Sequence, residues 1–276
     1  MTEYGDLTNF GVEIEEDGVA IVKITTGAKG NALGPDFWAQ CPRVFDRLSD
    51  DDRVRVVLLE GEGEHFTYGL DLMANAPTFM GVMADAGEMK ARRALFELVR
   101  KWQTGFDAIE SCVKPVLAAC KGWCIGGGVN LIAACDMRVA SASAKFSLRE
   151  VKLAITPDLG ALQRLPALIG KGHTRRLALT GEDIDASRAL QIGLVEDVYP
   201  DDVFDAEARA LASLIAANPP AVTQGIKNVL NYCADKSIKD GEQYVALWNS
   251  AFLPSKDLME AFTSYAQRRA PTYTGE

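Results

Sequence analysis

The amino-acid sequence predicts an α/β fold that becomes rich in helices towards its C-terminus. Two apolar, β-branched segments of strand length, 19–25 and 54–60, flank a segment, 35–48, whose apolar residues recur at helical spacing. This strand–helix–strand order is typical of a parallel sheet. Beyond Pro157 the pattern is almost entirely helical, so the α/β part comes first along the chain.

Shorter elements follow the first strand–helix–strand unit. A Gly-rich segment, 61–71, and a mixed segment, 74–87, precede a long helix predicted over 88–111. The next predicted elements are a buried strand at 115–120, a small-residue helix at 126–134, and strands at 137–140 and 145–147. Helices are then predicted at 161–169, 172–179, 186–192, 203–217, 219–234, 239–252 and 256–269, with one strand at 195–199.

The composition of the chain limits the kinds of partner that the protein is expected to bind. The chain of 276 residues has 38 acidic against 29 basic side chains and a net charge of -9, which disfavours binding to nucleic acid. No apolar run approaches the roughly 18 residues of a membrane span, so no membrane partner is expected. The N-terminus does not resemble a signal peptide, and the final residues match no address tag. We therefore predict a cytoplasmic protein.

The cysteines and histidines predict no metal site. The six cysteines form no CxxC pair, and three of them lie in apolar runs where a thiol behaves as a small hydrophobic group. The two histidines, His65 and His173, are isolated from any cluster of possible ligands.

Two glycine-containing loops could carry chemistry. The first, 65–71, follows a buried strand, and the second, 122–128, ends in a glycine triplet at a predicted helix start. Unpaired N–H groups at a helix start suit a developing anion, although close packing of backbone against backbone explains a glycine triplet equally well. The loop matches neither the phosphate-binding GxxxxGK[ST] pattern nor the dinucleotide-binding GxGxxG pattern.

Two acidic residues, Glu150 and Asp158, lie eight positions apart around an apolar stretch. Asp158 immediately precedes a predicted helix, so its side chain could be an N-cap instead of a catalytic group. Glu150 ends a predicted strand and could form an ion pair with Arg149 or Lys152. Nothing else in their local sequence separates these alternatives.

The order of the motifs is more specific than any one of them. The chain resembles the enoyl-CoA hydratase/isomerase (crotonase) family at FTYGLD (66–71), KPVLAA (114–119), GWCIGGG (122–128), ACDMR (134–138), FSLRE (146–150) and GALQRLP (160–166). The resemblance implies a β–β–α spiral core, assigned to residues 1–200, and a helical region, 201–276, used in trimer formation. A homotrimer or a hexamer is the expected assembly.

The resemblance also implies a substrate and a binding device. Members of the family bind acyl-CoA thioesters and hold the thioester oxygen, as an enolate, with two backbone N–H groups. By motif position these donors are Leu70 and Gly127. Lys29 and Ala32 would lie against the nucleotide end of CoA, which is part of the substrate, so no separate cofactor is expected.

Residues at three positions distinguish the subfamilies. Hydratases carry a glutamate where this chain has Asn130, an amide that cannot ionise at neutral pH. Dienoyl-CoA isomerases resemble the chain at 69–73, at 124–129 and around Asp158, although they usually carry an aspartate at position 130. The resemblance implies that Glu150 takes a proton at C2, Asp158 supplies one towards C6, and Asn130 is a polar positioning group.

Three alternatives stay open at this point. The two proton-transfer roles could be reversed between the carboxyl groups. The chain could be a 2-enoyl-CoA hydratase for an unusual acyl group, with Asp158 replacing the missing glutamate. It could also be a CoA-thioester binding protein with little catalytic activity.

Overall fold

A six-stranded sheet and a smaller three-stranded sheet form the framework of the protein, seen in a computed structural model that describes residues 4–84 and 87–276. The strands are β1 (Phe10–Ile14), β2 (Val19–Ile24), β3 (Val56–Gly61), β4 (Val116–Cys120), β5 (Trp123–Ile125), β6 (Met137–Ser141), β7 (Lys145–Ser147), β8 (Asp183–Asp185) and β9 (Asp197–Tyr199). The helices are α1 (Pro35–Asp50), α2 (Leu72–Ala84), α3 (Met89–Ser111), α4 (Gly127–Ile132), α5 (Ala161–Leu168), α6 (Gly170–Thr180), α7 (Ala186–Ile192), α8 (Phe204–Ala216), α9 (Pro220–Cys233), α10 (Ile238–Phe252) and α11 (Lys256–Gln267).

The large sheet has the order β1-β2-β3-β4-β6-β9 and is parallel from β2 onwards. Val19 pairs with Val56, so the parallel arrangement predicted from the first strand–helix–strand unit is confirmed. Apart from Glu60, the central strands β3 and β4 consist of apolar residues and glycine, because helices cover both of their faces. Helix α8 covers one face with the side chains of Phe204, Ala208, Ala212 and Ala216.

The small sheet, in the order β5-β7-β8, positions the residues that follow its strands. Strands β5 and β7 are parallel, with Ile125 paired to Ser147. Because parallel strands end at the same edge of a sheet, the segment after each strand emerges on the same side. The start of α4 and the chain that leads to Glu150 therefore lie next to each other.

Several elements differ from the sequence prediction. The mixed segment 74–87 contains most of α2, a helix that interior Pro77 and Gly81 disfavour and whose apolar residues are not concentrated on one face. Strands β1, β5 and β8 were not predicted; β5 and β8 are only three residues long. Glu150 does not end a strand but begins a short 3-10 helix, Glu150–Leu153.

The C-terminal helices are connected to the core by a buried lysine. Lys227 of α9 is 5% exposed, and its Nζ lies 2.7 Å from Asp136 Oδ2 and donates to the backbone carbonyls of Ile109 and Lys114. Burial raises the pKa of Asp136, and the Lys227 charge opposes that rise. The predicted boundary between the spiral core and the helical region, at residue 200, stays a prediction. Helix α8 packs on the sheet, and Lys227 connects α9 to the core.

No helix in the described ranges is both long enough and apolar enough to cross a bilayer.

Replacing Lys227 by methionine is expected to lower the free energy of unfolding by about 2 kcal/mol, because two buried carbonyls and Asp136 lose their donor. Chemical denaturation measures this change. The matched control is Lys236→Met, which removes an exposed pair with Asp235 and should change stability by less than about 0.5 kcal/mol. Equal stability losses in the two variants would contradict the role assigned to Lys227.

Candidate active site

A cavity of about 840 Å³ lies where the first glycine loop, the start of α4 and the 3-10 helix meet helices α2 and α3. Most of its walls are apolar, and the charged groups that reach it are few. Its lining is formed by Tyr68, Leu70, Leu72, Phe79, Val82, Leu95, Val99, Trp102, Trp123, Ile125, Gly126, Gly127, Arg149, Glu150, Lys152, Leu153, Ala154, Ile155, Asp158 and Leu159. The cavity brings together Leu70, Gly127, Glu150 and Asp158, four of the residues singled out in the sequence.

The backbone N–H groups of Leu70 and Gly127 lie side by side at the cavity wall. A Cβ atom on Gly127 would lie 3.6 Å from the Leu70 nitrogen, and one on Gly69 would lie 2.9 Å from the Gly127 nitrogen. Within the described residues neither N–H donates a hydrogen bond. Two adjacent free donors in a cavity of mostly apolar walls can stabilise an oxyanion.

Gly69 makes this approach possible. Its φ of 77° lies in the left-handed region, and a Cβ atom there would collide with the carbonyl oxygen of Ile125. The backbone-packing explanation of the glycines and the anion-binding explanation are therefore compatible: close packing of the two loops is what places the two amides together.

Asn31 and Thr67 hold the first glycine loop, and the sequence analysis assigned neither of them a role. Asn31 has a φ of 52°, and its Nδ2 donates to the carbonyls of Glu62 and His65 at 2.8 Å each. Thr67 Oγ1 donates to the Asn31 carbonyl at 2.7 Å and accepts from the Gly69 N–H at 3.0 Å. The signals in the sequence were that both residues lie in segments that resemble the family, 31–33 and 66–71, and that asparagine tolerates positive φ.

Glu150 lies directly beside the amide pair. A Cβ atom on Gly126 would lie 3.7 Å from the Glu150 carboxyl carbon, and Glu150 Oε1 accepts from Asn130 Nδ2 at 2.9 Å. Its Oε2 is buried and has no hydrogen-bond partner among the described residues. Burial raises the pKa of Glu150, while hydrogen bonds from the backbone and Asn130 lower it and the charge of Asp158 raises it. The alternative of an ion pair with Arg149 or Lys152 is not seen among the described residues, and Arg149 pairs with Asp183 at 2.6 Å.

Asn130 is fully buried and acts on the site through its neighbours. Its Nδ2 donates to the Gly126 carbonyl as well as to Glu150, both at 2.9 Å, and its Oδ1 accepts from the Ala161 N–H at 2.8 Å. The amide thus connects the glycine turn, the carboxylate and the first residue of α5. The role of Asn130 as a polar positioning group stays a prediction.

Asp158 reaches the cavity from the segment before α5. Its side chain caps no helix: the N-cap of α5 is Gly160, and the side chain that accepts from the first N–H of that helix is Asn130. The capping alternative is therefore wrong, because α5 begins two residues too late for Asp158 to occupy the N-cap. Gln103 of α3 donates to the Asp158 carbonyl at 2.6 Å, and burial raises the pKa of the Asp158 carboxyl group.

Lys29 and Ala32 lie outside the cavity lining but next to the loop that carries Leu70. Lys29 is the exposed first residue of a 3-10 turn, Lys29–Asn31, and the partly buried Ala32 follows it. The turn contacts the loop through hydrogen bonds from the Tyr68 N–H to the Gly30 carbonyl and from the Leu33 N–H to the Gly69 carbonyl, 2.8 and 2.7 Å long. Contact of Lys29 and Ala32 with CoA stays a prediction.

In the described part of the chain, no group of three or more His, Cys, Asp or Glu side chains is arranged to hold a metal ion.

Known proteins share this arrangement of sequence and fold. A family model described as Enoyl-CoA hydratase/isomerase matches residues 14–276. The chain is 44% identical over 244 residues to "Delta(3,5)-Delta(2,4)-dienoyl-CoA isomerase, mitochondrial" of Dictyostelium discoideum, covering 88% of this chain and 83% of that protein. It is 39% identical over 246 residues to "Delta(3,5)-Delta(2,4)-dienoyl-CoA isomerase, peroxisomal" of Arabidopsis thaliana, covering 88% of each. Among solved structures, it is similar to an enoyl-CoA hydratase from Bacillus anthracis, with a TM-score of 0.87, 31% identity, and coverage of 97% of this chain and 100% of that one.

These comparisons confirm the fold predicted from the motifs and correct one expectation. The predicted cytoplasmic location is wrong, because the relatives named above are described as mitochondrial or peroxisomal. That prediction depended only on not recognising a targeting segment, and the absence of a recognised segment is not evidence for a compartment.

Proposed function

The chain belongs to the enoyl-CoA hydratase/isomerase family, and on that premise we propose that it isomerises 3,5-dienoyl-CoA to 2,4-dienoyl-CoA. The observation that carries the proposal is a pair of carboxyl groups, Glu150 and Asp158, both with raised pKa, in one apolar cavity beside two free amides. The relatives named as dienoyl-CoA isomerases support the same reaction. An isomerase of this kind needs two proton-transfer groups and one site for a developing anion.

The chemistry is a proton transfer from C2 to C6. Glu150 takes a proton from C2, and the electron pair of that bond forms the new double bond between C2 and C3. The electron pair of the C3–C4 double bond then forms a double bond between C4 and C5. The electron pair of the C5–C6 double bond takes a proton from Asp158 and forms the new C–H bond at C6. Negative charge on the thioester oxygen is stabilised by the N–H groups of Leu70 and Gly127 while the proton is in transit. A proton passes from Glu150 back to Asp158, directly or through water, before the next turnover.

Hydrogen bonding supports Glu150 as the base and Asp158 as the acid. A carboxylate that accepts a hydrogen bond is favoured in its ionised form, and Asn130 makes such a bond to Glu150. Burial raises the pKa of Asp158, and its own backbone N–H is the group that opposes the rise. Burial raises the pKa of both carboxyl groups, so the assignment of Glu150 as the base rests on its hydrogen bond from Asn130 and on its position beside the two amides.

Turnover of purified protein with 3,5-dienoyl-CoA and with 2-enoyl-CoA tests the proposal, because the conjugated 2,4-dienoyl thioester is distinguished by its ultraviolet absorbance. We expect kcat/KM for isomerisation to exceed that for hydration by at least about 10²-fold, because Asn130 cannot relay a proton to water. Hydration faster than isomerisation would replace this proposal with the hydratase alternative. Tight binding of acyl-CoA without either reaction would support the alternative that the chain is a CoA-thioester binding protein.

The Asn130→Asp variant is expected to shift the acidic limb of the kcat/KM profile to higher pH. The substitution removes an N–H donor from Glu150 Oε1 and places a second carboxyl group beside it, and both changes raise the pKa of Glu150. Since the base must be ionised, activity is then lost at a higher pH as the solution is acidified.

Steady-state kinetics across pH measures the shift, with Asn218→Asp, at an exposed position two residues after α8, as the control. The control should leave the profile in place. An acidic limb that does not move in Asn130→Asp would contradict the assignment of Glu150 as the base.

We also propose that the C-terminal helices assemble the chain into a homotrimer or a hexamer. Large apolar side chains that are more than half exposed recur on α9, α10 and α11, which is unusual for a surface that stays in water. They include Ile226, Leu230, Leu247, Met259, Phe262 and Tyr265. Light scattering after size exclusion should give three or six times the mass of the chain. The mass of a single chain at micromolar concentration would contradict the proposal.

A further inference from the structure

We propose that Trp102 is the end wall of a subsite for the hydrocarbon tail of the substrate and limits the length of that tail. The inference rests on the proposed function, because it takes the thioester to lie at the two amides and C6 to lie at Asp158. It adds a residue that determines which dienoyl-CoA substrates are accepted.

The order of groups along the cavity gives the direction of the tail. The amides of Leu70 and Gly127 lie together at the cavity wall, with the Glu150 carboxyl group next to them. Asp158 lies towards α3, since Gln103 of that helix donates to its carbonyl at 2.6 Å. Carbons beyond C6 must therefore pass Asp158 and run along α3.

The part of the cavity along α2 and α3 is apolar. It is lined by Phe79, Val82, Leu95, Val99, Trp102 and Leu159. No charged side chain belongs to this group; the charged side chains that line the cavity are Arg149, Glu150, Lys152 and Asp158, and of these Asp158 lies next to α3. A polar group on the tail would lose its hydration here without gaining a partner, so the subsite suits an unsubstituted alkyl chain.

Trp102 separates this subsite from the protein core. Its side chain is 6% exposed, stacks on Trp38 with ring centroids 5.2 Å apart, and meets Phe79 edge to face at 5.6 Å. Trp38 is 2% exposed and is not among the residues that line the cavity. The indole of Trp102 is thus a rigid partition with cavity on one side and core on the other.

Two substitutions on α3 should change chain-length preference in opposite directions. Trp102→Leu removes the indole and opens the cavity towards Trp38, so kcat/KM for a fourteen-carbon 3,5-dienoyl-CoA should rise relative to an eight-carbon one by about tenfold. Val99→Phe adds volume to the subsite wall, so the same ratio should fall by about tenfold. The ratio is internal to each preparation, so partial loss of folded protein does not alter it.

Leu98→Ala is the matched control, because Leu98 is a partly buried residue of α3 that packs on the core and does not line the cavity. The control should lower the melting temperature without changing the ratio. Calorimetric binding of saturated acyl-CoA thioesters of the same two lengths repeats the comparison without turnover. Ratios unchanged in both cavity variants, or changed equally in Leu98→Ala, would overturn the assignment of Trp102.

The binding data distinguish the two possible failures. If the protein binds acyl-CoA with the expected dependence on length but isomerises no 3,5-dienoyl-CoA, the tail subsite stands and the proposed reaction fails. If it isomerises the diene and neither variant changes the length dependence, the reaction stands and the tail subsite fails.

Discussion

The Glu150→Gln variant is expected to lose at least about 10²-fold in kcat while its affinity for acyl-CoA changes little. The amide keeps the size of the side chain, and its oxygen can still accept the hydrogen bond from Asn130 Nδ2, but it cannot take a proton from C2. Steady-state turnover and calorimetric binding of a saturated acyl-CoA separate the two effects.

Glu60→Gln is the matched control for this experiment. Glu60 lies on β3, away from the cavity, and burial raises the pKa of its carboxyl group as it does for Glu150. Its replacement by an amide should leave turnover per folded molecule unchanged. Near-normal turnover in Glu150→Gln would exclude Glu150 as the base.

The Asp158→Asn variant is expected to lose about 10²-fold in diene isomerisation with an unchanged melting temperature. Its side chain caps no helix, and an asparagine oxygen can still accept from the backbone N–H of residue 158, whereas the proton for C6 loses its source. Thermal unfolding and turnover on the same preparation measure both quantities.

Exchange of the C2 proton with heavy water then separates the roles of the two carboxyl groups. Asp158→Asn should still exchange this proton, because Glu150 and the two amides are intact, but should form little 2,4-diene. Glu150→Gln should lose both exchange and isomerisation. The opposite result, with exchange lost only in Asp158→Asn, would reverse the assigned roles.

A true helix cap provides the comparison for stability. Asp185 Oδ1 accepts from the Arg188 N–H at 2.7 Å at the start of α7, so Asp185→Ala should cost about 1 kcal/mol of stability and leave turnover unchanged. If Asp158→Asn lowered the melting temperature as much as Asp185→Ala does, with normal turnover per folded molecule, Asp158 would be a structural residue.

The local sequence pattern was sufficient to predict those elements whose own residues determine their structure. The apolar residues of α1 recur at helical spacing because one side of this helix is buried, and this spacing predicted a helix. The continuous apolar run of β3 predicted a parallel strand because both faces of this strand are buried. Helix α2 left no such pattern, since one side forms cavity wall and others are exposed, and it carries Pro77 and Gly81. Its position is determined by tertiary contacts with α3.

The motif order was also sufficient to predict the family, the fold and the two carboxyl groups. Short motifs in one order identify a chain because each loop must meet the others in the folded molecule. The same order pointed to Leu70 and Gly127 as donors. The sequence by itself therefore determined the family and the fold, and it predicted the residues that are proposed to carry the chemistry.

Only the tertiary structure decided how those residues act. The approach of two loops at Gly69, the amide contact from Asn130 to Glu150, and the end wall at Trp102 each join segments far apart in sequence. A hydrogen bond or a packing contact depends on distances of a few ångströms, which no local pattern records. The capping alternative for Asp158 was excluded for the same reason: whether a carboxyl group faces a helix or a cavity depends on where the chain turns.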